Sequence, residues 1–321
     1  MDRDRSDTRH DKGVQVIHSK RRDKFPLLGV IPAVITPLHK NGKIHEKLLE
    51  KQVAYLSDAG VHGFLINGTS GEGPLLSREE RKRNFEVIRS VSGRKQFLCL
   101  TIPLTSTDLV ADEIAAFESL QPDFIVVPTP YYFTISQKEI VRHFREIANR
   151  SPFPVIAYNI PQCTFNKIEY DAMLEISSLE KVVGLKDSSG DFVTFSRVML
   201  HGTKKNFALL QAEDYLNADS LMMGSPGIVT GLGNVWIEPY VEMYQAAQKG
   251  DFPTVRKIQT KINKLYEVIR TVGDRVVPAV KGATSLLGRS EKWVKAPMDS
   301  LEEAELSRVL EILRDLGLKT V

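Results

Sequence analysis

Short apolar runs alternate with longer amphipathic stretches from residue 29 to about residue 250 of this 321-residue chain. The apolar runs have strand length and are rich in β-branched residues, which is typical of parallel strands buried on both faces. The stretches between them place apolar residues three and four positions apart, the period of an amphipathic helix. The predicted strands are Gly29 to Ile35, Gly63 to Ile66, Phe97 to Ile102, Phe124 to Val127, Val155 to Tyr158, Val182 to Leu185, Ala208 to Leu210 and Gly227 to Val229.

A helix is predicted after each of these strands. The predicted helices are His45 to Ala59, Ser77 to Ser90, Ser106 to Leu120, Ser136 to Asn149, Glu169 to Ser177, Asp191 to Leu200, Asp214 to Met223 and Val235 to Lys249. Ser77 and Ser136, each followed three residues later by glutamate, indicate capped helix N-termini. Eight strand and helix pairs favour a closed (β/α)8 TIM barrel, an α/β fold. An open doubly wound sheet is the alternative, although the first strand lacks its Gly-x-Gly-x-x-Gly turn.

The pattern after Gly250 is helical throughout. Helices are predicted over Phe252 to Thr271, Val276 to Leu287 and Leu301 to Leu316, with no strand between them. We therefore expect a barrel over residues 27–250, which carries the active site, and a small C-terminal three-helix domain over residues 251–321. Residues 1–26 are dense in Asp, Arg and Lys, and this composition predicts a mobile charged leader without the apolar core of a secretory signal.

Composition narrows the class of protein. No apolar run approaches the ~18 residues of a membrane span, and the small net charge of +3 is spread over interleaved acids and bases, so neither a membrane nor a nucleic acid is an expected partner. Cys99 and Cys163 form no Cys-x-x-Cys pair, which favours a reducing, cytoplasmic location. The seven histidines include no His-x-x-x-His pair, and no metal is expected.

The sixth predicted strand continues directly into Lys186. Active sites of (β/α)8 barrels lie at the carboxyl ends of the strands, and burial disfavours an ammonium ion, so an amine there suits attack on a carbonyl to form an imine. A lysine that extends to solvent is the alternative. Tyr158 ends the neighbouring fifth strand, so its phenol should reach the same mouth and could move protons during the reaction.

The loop after the second strand carries Thr69 and Ser70 between glycines. Hydroxyls and backbone N–H groups in such a turn suit a carboxylate, although an ordinary glycine-rich turn has the same composition. Glycines also surround the eighth strand, between Gly224 and Gly233, where many barrels bind phosphate. No basic residue lies among them, and a close-packed turn explains them equally well.

Four motifs together resemble those of the dihydrodipicolinate synthase and N-acetylneuraminate lyase family of class I aldolases. They are Gly68-Thr69-Ser70-Gly71-Glu72, Tyr131-Tyr132, Tyr158-Asn159-Ile160-Pro161 and Gly184-Leu185-Lys186-Asp187. The resemblance covers about residues 27–317. It implies an enzyme without cofactor or metal, which forms a covalent imine with pyruvate or another 2-oxo acid, and a homotetramer built as a dimer of dimers.

The resemblance also implies roles for single residues. Lys186 is the Schiff-base lysine, Tyr158 the general acid and base, and Tyr132, from an adjacent subunit, completes a hydroxyl relay with Thr69. Residues expected to bind substrate are Gly68, Thr69, Ser70, Ser188, Asp214 and Val229.

Departures from the family pattern bear on the substrate. Cys163 stands where the synthase branch has an arginine for the second substrate's carboxylate, and a thiol cannot replace a guanidinium. Phe165 replaces a usual glycine and is expected to narrow the pocket. The loop around Asp214 keeps the aspartate of the lyase branch but not its glutamate, and Ser188 matches a position that offers a hydroxyl to sugar acids.

These departures favour a Schiff-base lyase that cleaves a 2-keto-3-deoxy sugar acid, or a related 4-hydroxy-2-oxo acid, to pyruvate and an aldehyde. One alternative is the synthase, which condenses pyruvate with aspartate semialdehyde. An alternative of another class is a non-catalytic barrel that binds a 2-oxo acid.

Overall fold

The computed structural model describes residues 27–204 and 206–321, so the predicted charged leader, residues 1–26, lies outside the described residues. Eight parallel strands form the centre of the fold, each at a position predicted from the sequence. They are β1 (Gly29–Pro32), β2 (Gly63–Ile66), β3 (Phe97–Thr101), β4 (Phe124–Pro128), β5 (Val155–Asn159), β6 (Val182–Asp187), β7 (Ala208–Gln211) and β8 (Gly227–Thr230).

The strands form one ring. Their order is β1-β8-β7-β6-β5-β4-β3-β2, and a parallel bridge between Ala33 and Leu65 joins the first strand to the second. A ring of consecutive parallel strands is a (β/α)8 barrel, so the fold prediction is confirmed and the open doubly wound alternative is wrong.

Helices surround the barrel and continue beyond it. They are α1 (Glu46–Asp58), α2 (Arg78–Val91), α3 (Thr107–Ala116), α4 (Gln137–Arg150), α5 (Pro161–Thr164), α6 (Tyr170–Ser178), α7 (Phe192–His201), α8 (Asn217–Met222), α9 (Glu238–Gln248), α10 (Phe252–Arg270), α11 (Val276–Leu286) and α12 (Glu303–Asp315). Both predicted capping serines are confirmed, because Ser77 and Ser136 each form a capping box with the glutamate three residues later.

Several boundaries differ from the predictions. β1 ends at Pro32, earlier than predicted, although its backbone stays bonded to both neighbouring strands: the N–H of Ala33 donates to Thr230 and that of Val34 to Leu65. The helix predicted over residues 106–120 ends at Ala116 and continues as a 3₁₀ turn, and a 3₁₀ turn also precedes α8. The short helix α5 was not predicted. It begins with Pro161, whose fixed φ suits a first helical position.

Two apolar layers position the site. One fills the barrel interior and includes Tyr158 and Val229. The larger one lies between the strands and the helices and extends under α10 and α12. The helices after residue 250 therefore pack on the barrel, as the sequence predicts.

Candidate active site

A cavity of about 160 Å³ opens at the carboxyl ends of the strands. This is the end at which (β/α)8 barrels carry their active sites. Its lining combines residues that follow several strands with residues from the C-terminal helices. They are Ala33, Thr69, Ser70, Tyr158, Ile160, Gln162, Cys163, Lys186, Ser188, Ala212, Glu213, Asp214, Val229, Gly231, Leu232, Tyr266, Ile269 and Val276.

Lys186 and Tyr158 lie side by side in this cavity. They are paired residues of the parallel ladder between β5 and β6, and the Lys186 amine is 3.6 Å from the centre of the Tyr158 ring. Lys186 is 5% exposed, and no carboxylate of the described residues lies within 4.0 Å of its amine. An unpaired amine in a nearly dry cavity is suited to attack a carbonyl carbon.

Ser188 extends the polar surface beside this pair. Its hydroxyl lies 3.4 Å from the Tyr158 hydroxyl, and its backbone oxygen accepts a 2.8 Å hydrogen bond from the Gln162 amide. The Tyr158 side chain therefore contacts the amine through its ring and a second hydroxyl through its oxygen. Ser188 lines the cavity, where the sequence analysis expects it.

The loop after β2 brings Thr69 and Ser70 into the cavity. The turn closes on itself, since the N–H of Glu72 donates to Thr69 and that of Gly73 to Gly68. A Cβ at Gly73 would lie 1.8 Å from a backbone oxygen of Asn67, so this position requires glycine. Within the described part of the chain, the N–H groups of Thr69 and Ser70 have no backbone acceptor. Two hydroxyls and two free donors form an arrangement that suits a carboxylate.

The glycines around β8 have a packing role. A Cβ at Gly231 would come within 2.8 Å of the Ser70 hydroxyl, and one at Gly227 would come within 2.4 Å of the Gly29 backbone. Close packing thus explains these glycines without a phosphate. Val229, one of the predicted contacts, lines the cavity from β8.

Asp214 and Glu213 follow β7 and differ in their surroundings. The Asp214 carboxylate accepts a 2.8 Å hydrogen bond from Thr230, and burial raises its pKa to about 6. Glu213 also lines the cavity but forms no ion pair within the described residues. Burial raises the pKa of Glu213, and the N–H of Tyr215 partly offsets this effect. Both carboxylates line the cavity, and they differ in their partners: Asp214 is bonded to a side chain that follows β8, whereas Glu213 is bonded to the backbone of its own loop.

Sequence reasoning missed one wall of the cavity. Tyr266 and Ile269 of α10, together with Val276 of α11, line it opposite the strands. These residues have ordinary helical spacing, and nothing local in the sequence marks them as site residues. Gln162 and Glu213 were also missed, although both lie next to motif residues.

Two expectations, those for Gly68 and Phe165, meet a different geometry, whereas Tyr132 was expected to serve an adjacent barrel. Gly68 packs against Leu65 and lies behind the cavity lining. Phe165 does not narrow the pocket, because its left-handed backbone (φ 59°) leaves the ring 77% exposed. Tyr132 is 83% exposed, also at positive φ, and is outside the lining of its own barrel's cavity.

A second, more apolar cavity adjoins the first. It shares Thr69, Tyr158, Ile160 and Cys163 with the main cavity and is otherwise lined mostly by prolines and by Tyr131. The Tyr131 hydroxyl donates to the Pro103 backbone oxygen at 3.1 Å. The site therefore has an opening beside the Tyr158 ring in addition to its polar mouth.

The described residues contain no group of three metal-ligating side chains. Across the same residues, no helix combines the length and apolar content needed to span a bilayer. Cys99 and Cys163 are both free thiols, and burial raises the pKa of each of them.

The fold and the site define a (β/α)8-barrel enzyme of the Schiff-base lyase class, with a lysine amine, a phenol and a hydroxyl-rich turn in one cavity. The sequence model of the dihydrodipicolinate synthetase family matches residues 26–316. The chain belongs to this family.

Individual relatives agree with this assignment. The 4-hydroxy-tetrahydrodipicolinate synthase of Methanospirillum hungatei is 30% identical over 287 residues, which cover 89% of this chain and 98% of the relative. The solved dihydrodipicolinate synthase of Aquifex aeolicus has a TM-score of 0.85 and 26% identity, with 92% of this chain and 99% of that one covered. The synthase of Bacteroides thetaiotaomicron has a TM-score of 0.84 and 28% identity, with 91% and 99% covered.

The predicted family and the predicted enzyme class, a pyruvate-dependent Schiff-base lyase, are confirmed by these comparisons. The relatives carry the name of the synthase, which the sequence analysis gave as the alternative. The choice of the second substrate is therefore a separate question, which depends on this chain's own residues.

Proposed function

We propose that this protein cleaves a 2-keto-3-deoxy sugar acid, or a related 4-hydroxy-2-oxo acid, to pyruvate and an aldehyde. The observation that carries the proposal is the charge of the cavity. Lys186 is the one lysine or arginine among the described residues that line it, and Cys163, Gln162 and Glu213 line the part beyond Ser188. Such a surface can bind hydroxyl groups, whereas it offers no guanidinium to a second carboxylate.

In the proposed reaction, the Lys186 amine attacks C2 of the substrate, and loss of water gives an imine. A base removes the proton of the C4 hydroxyl, the C3–C4 bond breaks to release the aldehyde, and its electron pair moves into the imine as an enamine. Protonation at C3 and hydrolysis release pyruvate and the free lysine. Tyr158 is the acid and base in these steps, since its ring contacts the amine and its hydroxyl faces Ser188.

Thr69 and Ser70 are proposed to hold the carboxylate next to C2. Both residues line the same cavity as Lys186, and fixing the carboxylate would orient the carbonyl for attack. Ser188 and Glu213 are proposed to bind hydroxyl groups of the aldehyde part. Asp214, bonded to Thr230, would act by holding the loop that carries Glu213.

The synthase reaction is the second candidate. The names of the curated relatives, including one at 30% identity over most of the chain, favour it. Its second substrate, aspartate semialdehyde, carries a carboxylate and an ammonium group. Glu213 could attract the ammonium, but Cys163 supplies no partner for the carboxylate. The two reactions share the Lys186 imine and differ in the aldehyde.

The surface around Tyr132 supports assembly into a homotetramer built from dimers. Tyr132, Phe133 and Phe165 are all largely exposed, and the buried Asn166 amide ties their two loops together through 2.8 Å bonds to Pro130 and Phe133. Exposed aromatic patches mark interaction surfaces. We propose that Tyr132 of a second copy enters the apolar cavity beside Thr69 and Tyr158. The free thiols favour a cytoplasmic location.

Borohydride reduction in the presence of pyruvate tests the shared step. The expected product is a reduced pyruvyl group on the peptide that contains Lys186, and it should be absent from a Lys186→Arg variant. Lys281, which is also buried, provides an internal comparison within the same digest. No adduct at saturating pyruvate, or an adduct on another lysine, would contradict the mechanism and leave a binding scaffold.

A substrate panel tests the second substrate. Cleavage of 2-keto-3-deoxy sugar acids is measured by release of pyruvate, and condensation of pyruvate with aspartate semialdehyde by formation of the cyclic product. A higher kcat/KM for cleavage is expected. A higher value for condensation would establish the synthase instead.

A further inference from the structure

A fully buried ion pair joins the loop after β2 to the C-terminal helices. The Lys281 amine of α11 lies 2.6 Å from Oε1 of Glu72, and both side chains are 0% exposed. Burying two charges is costly unless they are paired and hydrogen-bonded. The pair lies outside the lining of the active-site cavity, so substrate contact does not explain it.

The second oxygen of Glu72 is also occupied. Oε2 accepts a 2.6 Å hydrogen bond from the backbone N–H of Lys295, which lies between α11 and α12. The Lys295 amine in turn contacts Glu80 of α2 at 2.6 Å. Both carboxylate oxygens are thus held by the chain after residue 250, and this segment is tied a second time to the barrel.

The position of Glu72 in its loop makes this anchor relevant to the site. Glu72 has a left-handed backbone (φ 59°, ψ 25°), a region that residues other than glycine rarely adopt. It follows Thr69 and Ser70 by two or three positions, and its own N–H closes the turn onto the Thr69 oxygen. The backbone of the turn that presents the two hydroxyls is therefore held in an unfavourable conformation by the side chain of Glu72.

We propose that Glu72 is a positioning residue, and that Lys281 and Lys295 set the geometry of the turn that binds the carboxylate of pyruvate. The C-terminal helices then contribute to substrate binding in two ways, as the wall formed by Tyr266, Ile269 and Val276 and as the anchor of the opposite loop. This inference rests on the proposed imine chemistry at Lys186.

Two carbonyl compounds separate positioning from general damage. Pyruvate has the carboxylate that the turn would bind, whereas acetaldehyde forms an imine without one. The pyruvate concentration that gives half-maximal reduced adduct on Lys186 is expected to rise about tenfold or more in Glu72→Gln, a loss typical of one charged hydrogen bond. Labelling of Lys186 by acetaldehyde and cyanoborohydride should change less than about twofold, because the amine and Tyr158 are untouched.

Two further variants complete the test. The double variant Glu72→Gln with Lys281→Met removes both charges together, so it avoids an unpaired buried charge if the single variant fails to fold, and it should show the same selective loss. Leu313→Ala, which opens a cavity under α12, weakens the same helical layer without touching Glu72 and should leave the pyruvate dependence unchanged.

The outcomes distinguish this inference from the proposed function. If the unmodified protein forms no pyruvate adduct on Lys186, the proposed function fails. If it does, and folded Glu72→Gln or the double variant binds pyruvate normally, the positioning role is wrong. Equal losses for pyruvate and acetaldehyde, or a matching loss in Leu313→Ala, would show only a structural role.

Discussion

Tyr158 and Lys186 face each other across adjacent strands, with the lysine amine 3.6 Å from the centre of the tyrosine ring. The phenol oxygen of the same ring lies 3.4 Å from the Ser188 hydroxyl. One side chain therefore contacts the nucleophile and also approaches a hydroxyl that lines the open part of the cavity.

Replacing Tyr158 by phenylalanine should keep the fold and remove most turnover. The ring still packs in the barrel interior, but loss of a general acid and base typically lowers kcat by about 10² to 10⁴-fold. Steady-state kinetics and a thermal melt check this. Tyr244→Phe is the matched control, since Tyr244 is buried under the helices at a distance from the cavity lining. A Tyr158→Phe enzyme with near-normal kcat would exclude the assigned role.

Replacing Cys163 by arginine should shift selectivity towards aspartate semialdehyde. The guanidinium would supply the charged donor that the cavity lacks, and such a bond contributes about 1.5 to 3 kcal/mol, or one to two decades in kcat/KM. The ratio of kcat/KM for the semialdehyde and for a sugar acid measures the shift. Cys163→Ser keeps the size without the charge and should leave the ratio near its original value. Similar ratios in both variants would mean that this position does not face the second substrate.

The stability of the protein should carry a pH dependence from Asp214. Burial raises the pKa of this carboxyl from 3.8 to about 6. A pKa that is higher in the folded chain means that the folded state favours the protonated carboxyl. The contribution of Asp214 to the free energy of unfolding is therefore complete below pH 3.8 and is lost as the pH rises through about 6.

Denaturant unfolding at several pH values measures this effect. Across that interval the free energy of unfolding of the unmodified protein should fall by about 3 kcal/mol relative to Asp214→Asn, whose amide can still accept from Thr230. Parallel pH profiles for the two proteins would show that Asp214 is ionised without cost.

Subunit mixing should restore activity if Tyr132 serves a neighbouring barrel. Tyr132→Phe and Lys186→Ala subunits are each expected to be inactive as pure assemblies. In a mixed dimer, one site receives an intact lysine from its own chain and an intact tyrosine from the partner, so part of the activity should return. Mixing Lys186→Ala with Tyr158→Phe is the negative control: each chain supplies both residues of its own cavity, so neither site of a mixed dimer is complete and no activity should return. If Tyr132→Phe and Lys186→Ala subunits form mixed assemblies that stay inactive, Tyr132 does not act in the cavity of a neighbouring barrel.

Much of the fold followed from local patterns. Each predicted strand lies where expected, because a strand buried on both faces must be apolar along most of its length, and β2 and β4 are examples. Helix starts at Ser77 and Ser136 were predictable because capping boxes are local. The ends of elements were less predictable: the apolar run that begins at Gly29 continues to Ile35, but β1 ends at Pro32, because buried loop residues are as apolar as strand residues.

The active site also has features that the sequence predicts and features that it does not. Lys186 and Tyr158 lie near the carboxyl ends of strands, and Thr69, Ser70 and Ser188 lie in the loops that follow strands; all five line the cavity. The orientation of Lys186 depends on an irregularity in the ladder between β5 and β6, where the register shifts near Val155 and then pairs Tyr158 with Lys186. A one-residue shift changes the face on which a strand's side chains lie, so alternation along β6 alone could not predict that this amine faces inwards.

The sequence by itself determined the barrel, its helical extension and the family, since these depend on periodicity and on short motifs whose residues are close in the chain. Only the tertiary structure decided that the Asp214 carboxylate is bonded to Thr230, sixteen positions away, because β7 and β8 lie side by side in the barrel. It also decided that Glu72 is paired with Lys281, 209 residues further along. Contacts between distant residues are set by how whole elements pack, and a buried charge has no local sequence pattern that reveals its partner.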